Sequence, residues 1–354
     1  NQVQINVEVP ALSPFEVEKQ VTYSIETAMA GIPGLLETRS ISRNGFAQIT
    51  VIFEDDIDIY FARAQVNERL ASAKESLPEG AEVVMGAIST GLGEIYMWTV
   101  EYENPDQPYT TPEGLILTSE FEKAMYLRTV QDWIIGPQIK TVRGVAAVDS
   151  IGGYAQQYHV QPDPQKLAAL GLTFNDVIEA LERNNASTGA GYLEQKGESY
   201  VVRADGRLAT TGEIGNVVIS TRSGVPIYMK DVATVGLGKE LRTGSASENG
   251  HEVVVATAMM LKGENSRVVA KAVDAKLAEV QKSLPEGVKA KTVLNRTKLV
   301  EATIKTVSKN LSEGALLVIA VLFLLLGNFR AALITALIIP FTMLMTGIGM
   351  VEIG

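Results

Sequence analysis

Leu70 to Val84 reads LASAKESLPEGAEVV, and Leu277 to Lys291 reads LAEVQKSLPEGVKAK. Both stretches end an amphipathic helix and pass through Ser-Leu-Pro-Glu-Gly into an apolar run, and a repeated sequence of this kind marks a repeated supersecondary unit. A second match runs upstream of it: Gly34, Ser40 and Ile41 recur as Gly144, Ser150 and Ile151. The two offsets are 207 residues (Pro78 to Pro285) and 110 residues (Gly34 to Gly144), so the second copy carries about 97 extra residues in its middle. A domain inserted into one of two repeats accounts for the difference.

The first copy is legible residue by residue. Gln2 to Val9 alternates, with Val3, Ile5, Val7 and Val9 on one face, which is the period of a half-buried strand. Ser13-Pro14-Phe15-Glu16 is a capping box with proline at the first helical position, followed at helical spacing by Val17, Val21, Ile25, Ala28, Met29 and Ile32. Arg39 to Phe53 reads as two strands about the turn Asn44-Gly45. Ile57, Tyr60, Phe61, Ala64, Leu70 and Leu77 then stripe a second helix, and Ala81 to Ile88 closes as a strand. The order βαββαβ predicts a split, ferredoxin-like sandwich with two helices on one face of an antiparallel sheet.

In the second copy Glu94 to Tyr102 reads as a strand, followed by a long helix ending near Gly136-Pro137. Val145 to Tyr158 is a strand broken at Gly152-Gly153, or a hairpin there. The pattern resumes with the apolar strand Val253 to Leu261, a helix striped by Val269, Val273, Leu277 and Val280, and a last strand from Val288 to Leu294. Between them the insert carries Asp163-Pro164, a capping signal from Thr173 to Asp176, a hairpin about Arg222-Ser223-Gly224, and a glycine-rich stretch from Gly189 to Gly197. It reads as a small α+β module whose polar segment from Ala186 to Ser199 projects as a loop.

Charge divides the chain. Of 41 acidic and 31 basic residues, only Arg330 and Glu352 lie between Gly314 and Gly354. Gly314 to Gly327 is wholly apolar apart from its glycines. It is shorter than the ~20 residues that cross hydrocarbon, but the helix extends backward through Leu311 and Val307. Ala331 to Val351 is 21 residues without a charge. Joined by Asn328, Phe329 and Arg330, the two predict a transmembrane hairpin with its basic turn on the cytoplasmic side, so that the preceding residues, up to about 305, face outward. A buried helix pair in a soluble protein is the alternative; a signal peptide is excluded by position. A chain that starts at Asn1 and stops at Gly354 in an apolar segment reads as part of a longer protein.

The net charge of −10 offers no basic surplus for a nucleic-acid backbone. With no cysteine there is no disulfide framework, thiolate metal site or cysteine nucleophile, and with only His159 and His251 histidine chemistry is thin. Gly91 and Gly93 lack the strand-to-helix context of a phosphate loop, and no serine or histidine sits in a nucleophile motif. The residues do not support an enzyme, and no cofactor is implied.

The stretches NQVQINVEVP, SIETAMAGIPG, VIFEDDIDIYFARAQVNERL, STGLGEIY, QDWII, GENSRVVAKAV and LFLLLGNFRAALITALIIP resemble the heavy-metal efflux (CzcA-type) branch of the resistance-nodulation-division, or RND, efflux pumps. The resemblance covers the whole chain. It implies porter subdomain PN1 at 1–90, porter subdomain PN2 at 91–157 and 252–296, and docking subdomain DN at 158–251. The second transmembrane helix with its periplasmic lead-in would be 297–327, and the third, incomplete, 331–354. It further implies proton-driven export of a divalent cation such as zinc, cobalt, cadmium or nickel. The setting would be the inner membrane of a Gram-negative bacterium, in a homotrimer that works with a periplasmic membrane fusion protein and an outer-membrane channel. The glycine-rich segment of the docking subdomain would reach into a neighbouring protomer. The acidic proton-relay motif of the family lies beyond Gly354. A pump for amphiphilic drugs and a membrane-anchored secretion factor are the competing readings; aromatics at 6% suit a drug cleft poorly.

A transported divalent ion needs oxygen or imidazole ligands weak enough to release it. Glu94, in STGLGEIY, would stand where the family has its cleft, and Asp132, in QDWII, on the helix that follows. The plainer readings are an exposed strand-end carboxylate for Glu94 and an ion pair with Arg128 for Asp132. His159 and His251 flank the insertion and would form a metal site if its two ends meet. Met259 and Met260 are adjacent in a strand, face opposite sides and cannot share one ion. Glu352 reads as an interfacial residue at a helix end rather than a proton carrier.

Overall fold

The computed structural model describes residues 1–354 except Pro10, Lys196, Gly197, Ser223, Leu241, Thr243, Gly327, Asn328 and Gly354. Strand β1 (Gln2–Glu8) buries alternate residues as its pattern requires. The capping box then forms: Ser13 N–H donates to Glu16 Oε2 at 2.9 Å and Glu16 N–H to Ser13 Oγ at 3.4 Å, opening α1 (Pro14–Val17). One wide turn, Glu18–Thr22, leads into α2 (Tyr23–Met29). That turn has a cause in the sequence. Val17, Val21, Ile25 and Met29 are all fully buried at four-residue spacing, which drifts by about 40° per step on a regular α-helix; a π-helical turn takes up the drift.

Strands β2 (Leu35–Arg43) and β3 (Phe46–Phe53) meet at Asn44-Gly45 as predicted, with Arg43 opposite Phe46. In α3 (Ile59–Lys74) the predicted stripe holds at Leu70, with Ile57 and Leu77 beyond its ends packed on the same core, but fails in the first turns. Tyr60 and Phe61 are exposed, and the face on the sheet is Ala62, Val66, Leu70 and Ala73. Asp58 caps the helix, its Oδ1 accepting from the N–H groups of Tyr60 and Phe61. With β4 (Glu82–Met85) the sheet order is β2-β3-β1-β4, antiparallel throughout.

The second unit opens with β5 (Glu94–Tyr102), the short pair β6 (Tyr109–Thr110) and β7 (Ile116–Leu117), and α4 (Glu120–Val130). The sequence reading missed the second capping box, Ser119 with Glu122, which starts α4 as Ser13 and Glu16 start α1. It also ended the helix too early. A π-helical turn, Gln131–Ile135, carries the chain into α5 (Gly136–Lys140), so Pro137 falls in the first turn of the new segment, where its missing N–H is tolerated. Next comes β8 (Val145–Ile151).

The inserted segment runs through β9 (Gln156–Pro162), α6 (Pro164–Leu170), α7 (Phe174–Asn184), β10 (Ser187–Gln195), β11 (Glu198–Asp205), α8 (Thr211–Gly215), β12 (Val218–Arg222), β13 (Val225–Tyr228), α9 (Met229–Val232) and β14 (Ala233–Lys239). Its own core gathers Leu167, Val177, Val217, Met229 and Val232. Strands β8 and β9 do not pair with each other: β9 pairs with β14 instead, so the entering and leaving strands of the segment zip together. The glycine-rich stretch is not an irregular loop either. It forms β10, which pairs with β11 in a separate two-stranded sheet, and the Lys196-Gly197 part of the stretch lies outside the described residues. The β12–β13 hairpin forms where expected, with Ser223 outside the described residues.

After β15 (Ala246–Glu248), strand β16 (His251–Met260) returns to pair with β5, β8 and β15. Then follow α10 (Ser266–Val280), whose predicted stripe Val269, Val273, Leu277 and Val280 is buried, and β17 (Val288–Asn295) on the other side of β5. The central order β8-β16-β5-β17 repeats that of the first sheet.

The repeated motif is explained by two turns. Ala81 N–H bonds Pro78 C=O at 3.1 Å and Val288 N–H bonds Pro285 C=O at 3.1 Å, with Gly80 at φ +82° and Gly287 at φ +81°. Each is a turn whose third residue must adopt positive φ, hence glycine. The second matched pair behaves alike: Gly34 and Gly144 lie at φ +74° and +88° against Ile57 and Val269.

The chain continues as α11 (Arg296–Leu326) and α12 (Phe329–Ile353), two helices in contact. Many of their large apolar side chains are exposed, Leu324 to 84% and Leu325 to 80%. Two helices form where the hairpin was expected, but no transmembrane hairpin is seen: among the described residues no helix is long and apolar enough to cross a membrane. In α11 the charges run to Glu313, which leaves Gly314 to Leu326 as its apolar part, less than the ~20 residues of a span.

Gly80→Ala and Gly144→Ala separate backbone strain from crowding. A Cβ at Gly80 meets nothing within 4 Å, whereas one at Gly144 would lie 2.6 Å from buried Val269 Cγ2. Gly80→Ala is expected to cost about 1 kcal/mol and Gly144→Ala about 1–3 kcal/mol more. Thermal unfolding checks this, and equal losses would contradict it.

Candidate functional site

Glu94 is the first residue of β5 and is exposed, with Met259 of β16 opposite. The chain reaches it through a single 3₁₀ turn, Gly91–Gly93, that runs directly into the strand, so no helix N-terminus is available for a phosphate. This joint is tied on two sides. Ser89 Oγ donates to Met260 C=O at 3.0 Å and Lys262 N–H to Ile88 C=O at 3.1 Å, anchoring the linker on the end of β16. Arg296, the first residue of α11, donates to Leu92 C=O at 2.5 Å. Glu94 therefore sits where the two repeats and the long terminal helix meet.

Asp132 occupies the second position of the π-helical turn Gln131–Ile135. Its Oδ2 receives Arg128 Nε at 2.6 Å, the i−4 pair that the sequence allowed, and Arg128 Nη1 also donates to Gly152 C=O at 3.0 Å. Beside it, buried Gln131 accepts from Trp98 Nε1 at 3.0 Å. Trp98 is on β5, so this bond fixes the turn that carries Asp132 to the strand that begins at Glu94.

The two histidines have separate surroundings. His159, on β9, approaches Gln157 Oε1 at 3.4 Å, and its ring lies directly over Gly238 of β14, where a Cβ would come within 2.2 Å of it. His251, the first residue of β16, has Nε2 3.6 Å from Asp106 Oδ1. Among the described residues no three His, Asp or Glu side chains cluster to hold a metal ion. Met260 packs on the core of the second unit. The Glu352 side chain lies outside the described residues.

Some polar features were missed by the sequence reading. Tyr96, fully buried on β5, bonds Asp274 of α10 and lies 2.7 Å from Thr292 Oγ1 of β17. Burial first, then the Asp274 carboxylate, pushes its ionisation far above the ordinary phenol range. On the opposite face of the same sheet, Lys289 pairs with Glu101 at 3.1 Å and Lys291 with Glu248. Alternation along β5 was the available signal, since Thr99 and Glu101 interleave with Trp98, Val100 and Tyr102. Glu301, in the first part of α11, receives Lys271 Nζ at 2.6 Å and Arg267 Nη2 at 3.4 Å from α10. Lys271, then Arg267, holds its carboxyl below the ordinary 4.5.

The sequence model of the AcrB/AcrD/AcrF family matches residues 1–354. The nickel-cobalt-cadmium resistance protein NccA of Alcaligenes xylosoxydans xylosoxydans is 54% identical over 365 residues, covering 99% of this chain and 34% of that protein. The cobalt-zinc-cadmium resistance protein CzcA of Cupriavidus metallidurans is 53% identical over 355 residues, 99% of this chain and 32% of its own length. Among solved structures, an X-ray crystal structure of a heavy metal efflux pump (crystal form II) superposes with a TM-score of 0.83 at 32% identity, covering 98% of this chain and 33% of that one. The chain thus spans about a third of the length of these proteins.

The tie at Glu301 is pH-dependent with a definite sign. A carboxylate whose pKa is lowered by folding stabilises the folded arrangement above its ordinary value, and that contribution is lost as pH falls through the lowered one. Hydrogen exchange of residues 296–305, corrected for intrinsic rates, should therefore speed up as pH drops below 4.5 in the parent protein and respond less in Glu301→Gln. Identical pH profiles would contradict this.

Proposed function

The chain belongs to the AcrB/AcrD/AcrF family, and from that premise we propose that it is the porter and first membrane-hairpin portion of a proton-driven RND pump exporting divalent heavy-metal cations. The observation that carries the reading is chain-long identity of 53–54% to proteins named for resistance to nickel, cobalt, cadmium and zinc. In this reading residues 1–90 form PN1, 91–157 and 252–296 form PN2, and 158–251 form the docking subdomain, whose β10–β11 hairpin reaches a neighbouring protomer of a homotrimer. The membrane fusion protein and the outer-membrane channel are the partners. The role is transport without an enzymatic step.

Residues 297–327 and 331–354 are the membrane hairpin of this proposal, in the inner membrane of a Gram-negative bacterium, with residues up to about 305 in the periplasm. The charge-free 21 residues from Ala331 to Val351 and the exposed leucines of α11 support it.

Glu94 and Asp132 stand on the periplasmic cation path. Oxygen ligands suit borderline and hard divalent ions, and a chain without cysteine has no thiolate to trap them. One or two carboxylates bind such an ion reversibly, and protonation weakens the site. The joint at Gly91–Gly93 supports Glu94 in particular, because it holds an exposed carboxylate where the two repeats and α11 converge.

Glu94→Gln keeps shape and removes charge. In cells expressing the intact pump, it is expected to lower resistance to zinc, cobalt and cadmium by about tenfold in cation concentration, roughly the worth of one charged ligand. Undiminished resistance to all three would refute the role of Glu94. Resistance of the parent to copper or silver alone would refute the substrate class.

A further inference from the structure

We infer that Arg128 is a positioning residue that couples cation occupancy of Asp132 to the base of the inserted module. The inference rests on the reading of Asp132 as part of the cation path. The guanidinium of Arg128 is divided between two acceptors, with Nε on Asp132 Oδ2 at 2.6 Å and Nη1 on Gly152 C=O at 3.0 Å. Gly152 is the residue at which the chain leaves β8 toward β9 and the insert. It is wedged against the returning strand, since a Cβ there would lie 2.5 Å from Val253 C=O of β16. One side chain thus connects the candidate ligand to the point where the inserted segment departs.

The pair is built to exchange. The Arg128 and Asp132 side chains are 25% and 34% exposed, so solvent screens their attraction without abolishing it. A divalent ion arriving at Asp132 competes with the guanidinium for the same oxygens, and two cations on one carboxylate repel. The displaced side chain has somewhere to go. A cavity of about 280 Å³ opens beside Arg128 and is also lined by Glu8, from the end of β1, and Glu240, just beyond β14. The fourth charged group, Arg242, is already held by Glu252 and stacked on Tyr154 at 4.6 Å. Transfer of Arg128 from Asp132 to either carboxylate links the second unit to the first unit or to the insert. Cation binding then shifts the population between two arrangements of this joint, because only one of them leaves Asp132 free.

Zinc flux through the intact pump in proteoliposomes tests the coupling, with KM and turnover measured separately. Arg128→Gln removes the competitor and the link together, so KM should fall about threefold to fivefold, the worth of a screened ion pair, while turnover also falls. A purely structural arginine would not tighten KM when removed. Arg128→Lys keeps a charge for Asp132 but lacks the fork that reaches Gly152, and should keep the parent KM with reduced turnover. An unchanged or raised KM in Arg128→Gln overturns the inference. If that variant fails to fold, parent turnover in Arg128→Lys overturns it. Asp132→Asn serves the underlying reading: it should raise KM, and an unchanged KM there removes Asp132 from the path, a failure distinct from that of Arg128.

Discussion

Strand β5 must be paired on both sides by strands that arrive much later in the chain. Val100 faces Val254 across one ladder and Ala290 across the other, and Tyr96, Trp98 and Val100 on its core face are fully buried. The second unit has no core until β16 has come back from the insert and β17 has followed α10. The insertion is tolerated because loop-closure cost grows only slowly with length and because β9 and β14 pair with each other, so the segment enters and leaves as one antiparallel ribbon. The same strand carries Glu94 at its start and, through Trp98, holds the π-helical turn of Asp132.

Both repeats solve the same problem with the same parts. Each opens its first helix with a Ser-x-x-Glu box, widens it by one π-helical turn, and ends its second helix in a Pro-Glu-Gly turn with glycine at positive φ. These are local devices with sequence signatures, so the repeat, the strand order and most element starts were legible. Errors arose where local pattern was overridden. The stripe of α3 was misread at Tyr60 and Phe61 because large apolar side chains there stay exposed while the smaller Ala62 and Val66 face the sheet. The helix end at Pro137 was misread because a π-helical turn renews the helix just before it. The Gly189–Gln195 part of the glycine-rich stretch was misread as a loop because its pairing with β11 is a partner effect that glycine content does not reveal.

The candidate site was legible only in its parts. Glu94 and Asp132 could be singled out by motif, but what ties them to the fold could not. The anchor of Ser89 on Met260, the bond from Arg296 to Leu92 and the fork of Arg128 onto Gly152 all join residues far apart in the chain. The placement of the two histidines at the ends of the insertion suggested a shared site, whereas in the structure each engages a neighbour of its own. Weak, exchangeable oxygen ligands are what a transport path requires, since a tight cage would hold the ion rather than pass it on.

On the proposed reading, the carboxylate that opens β5 touches the transported ion. The most direct measurement is a zinc-loaded crystal structure of the intact pump, with the metal located by anomalous scattering. Zinc density is expected about 2.0–2.2 Å from a Glu94 oxygen in at least one copy of the pump. Zinc bound elsewhere in the porter region of every copy, with Glu94 facing solvent away from it, would refute that contact.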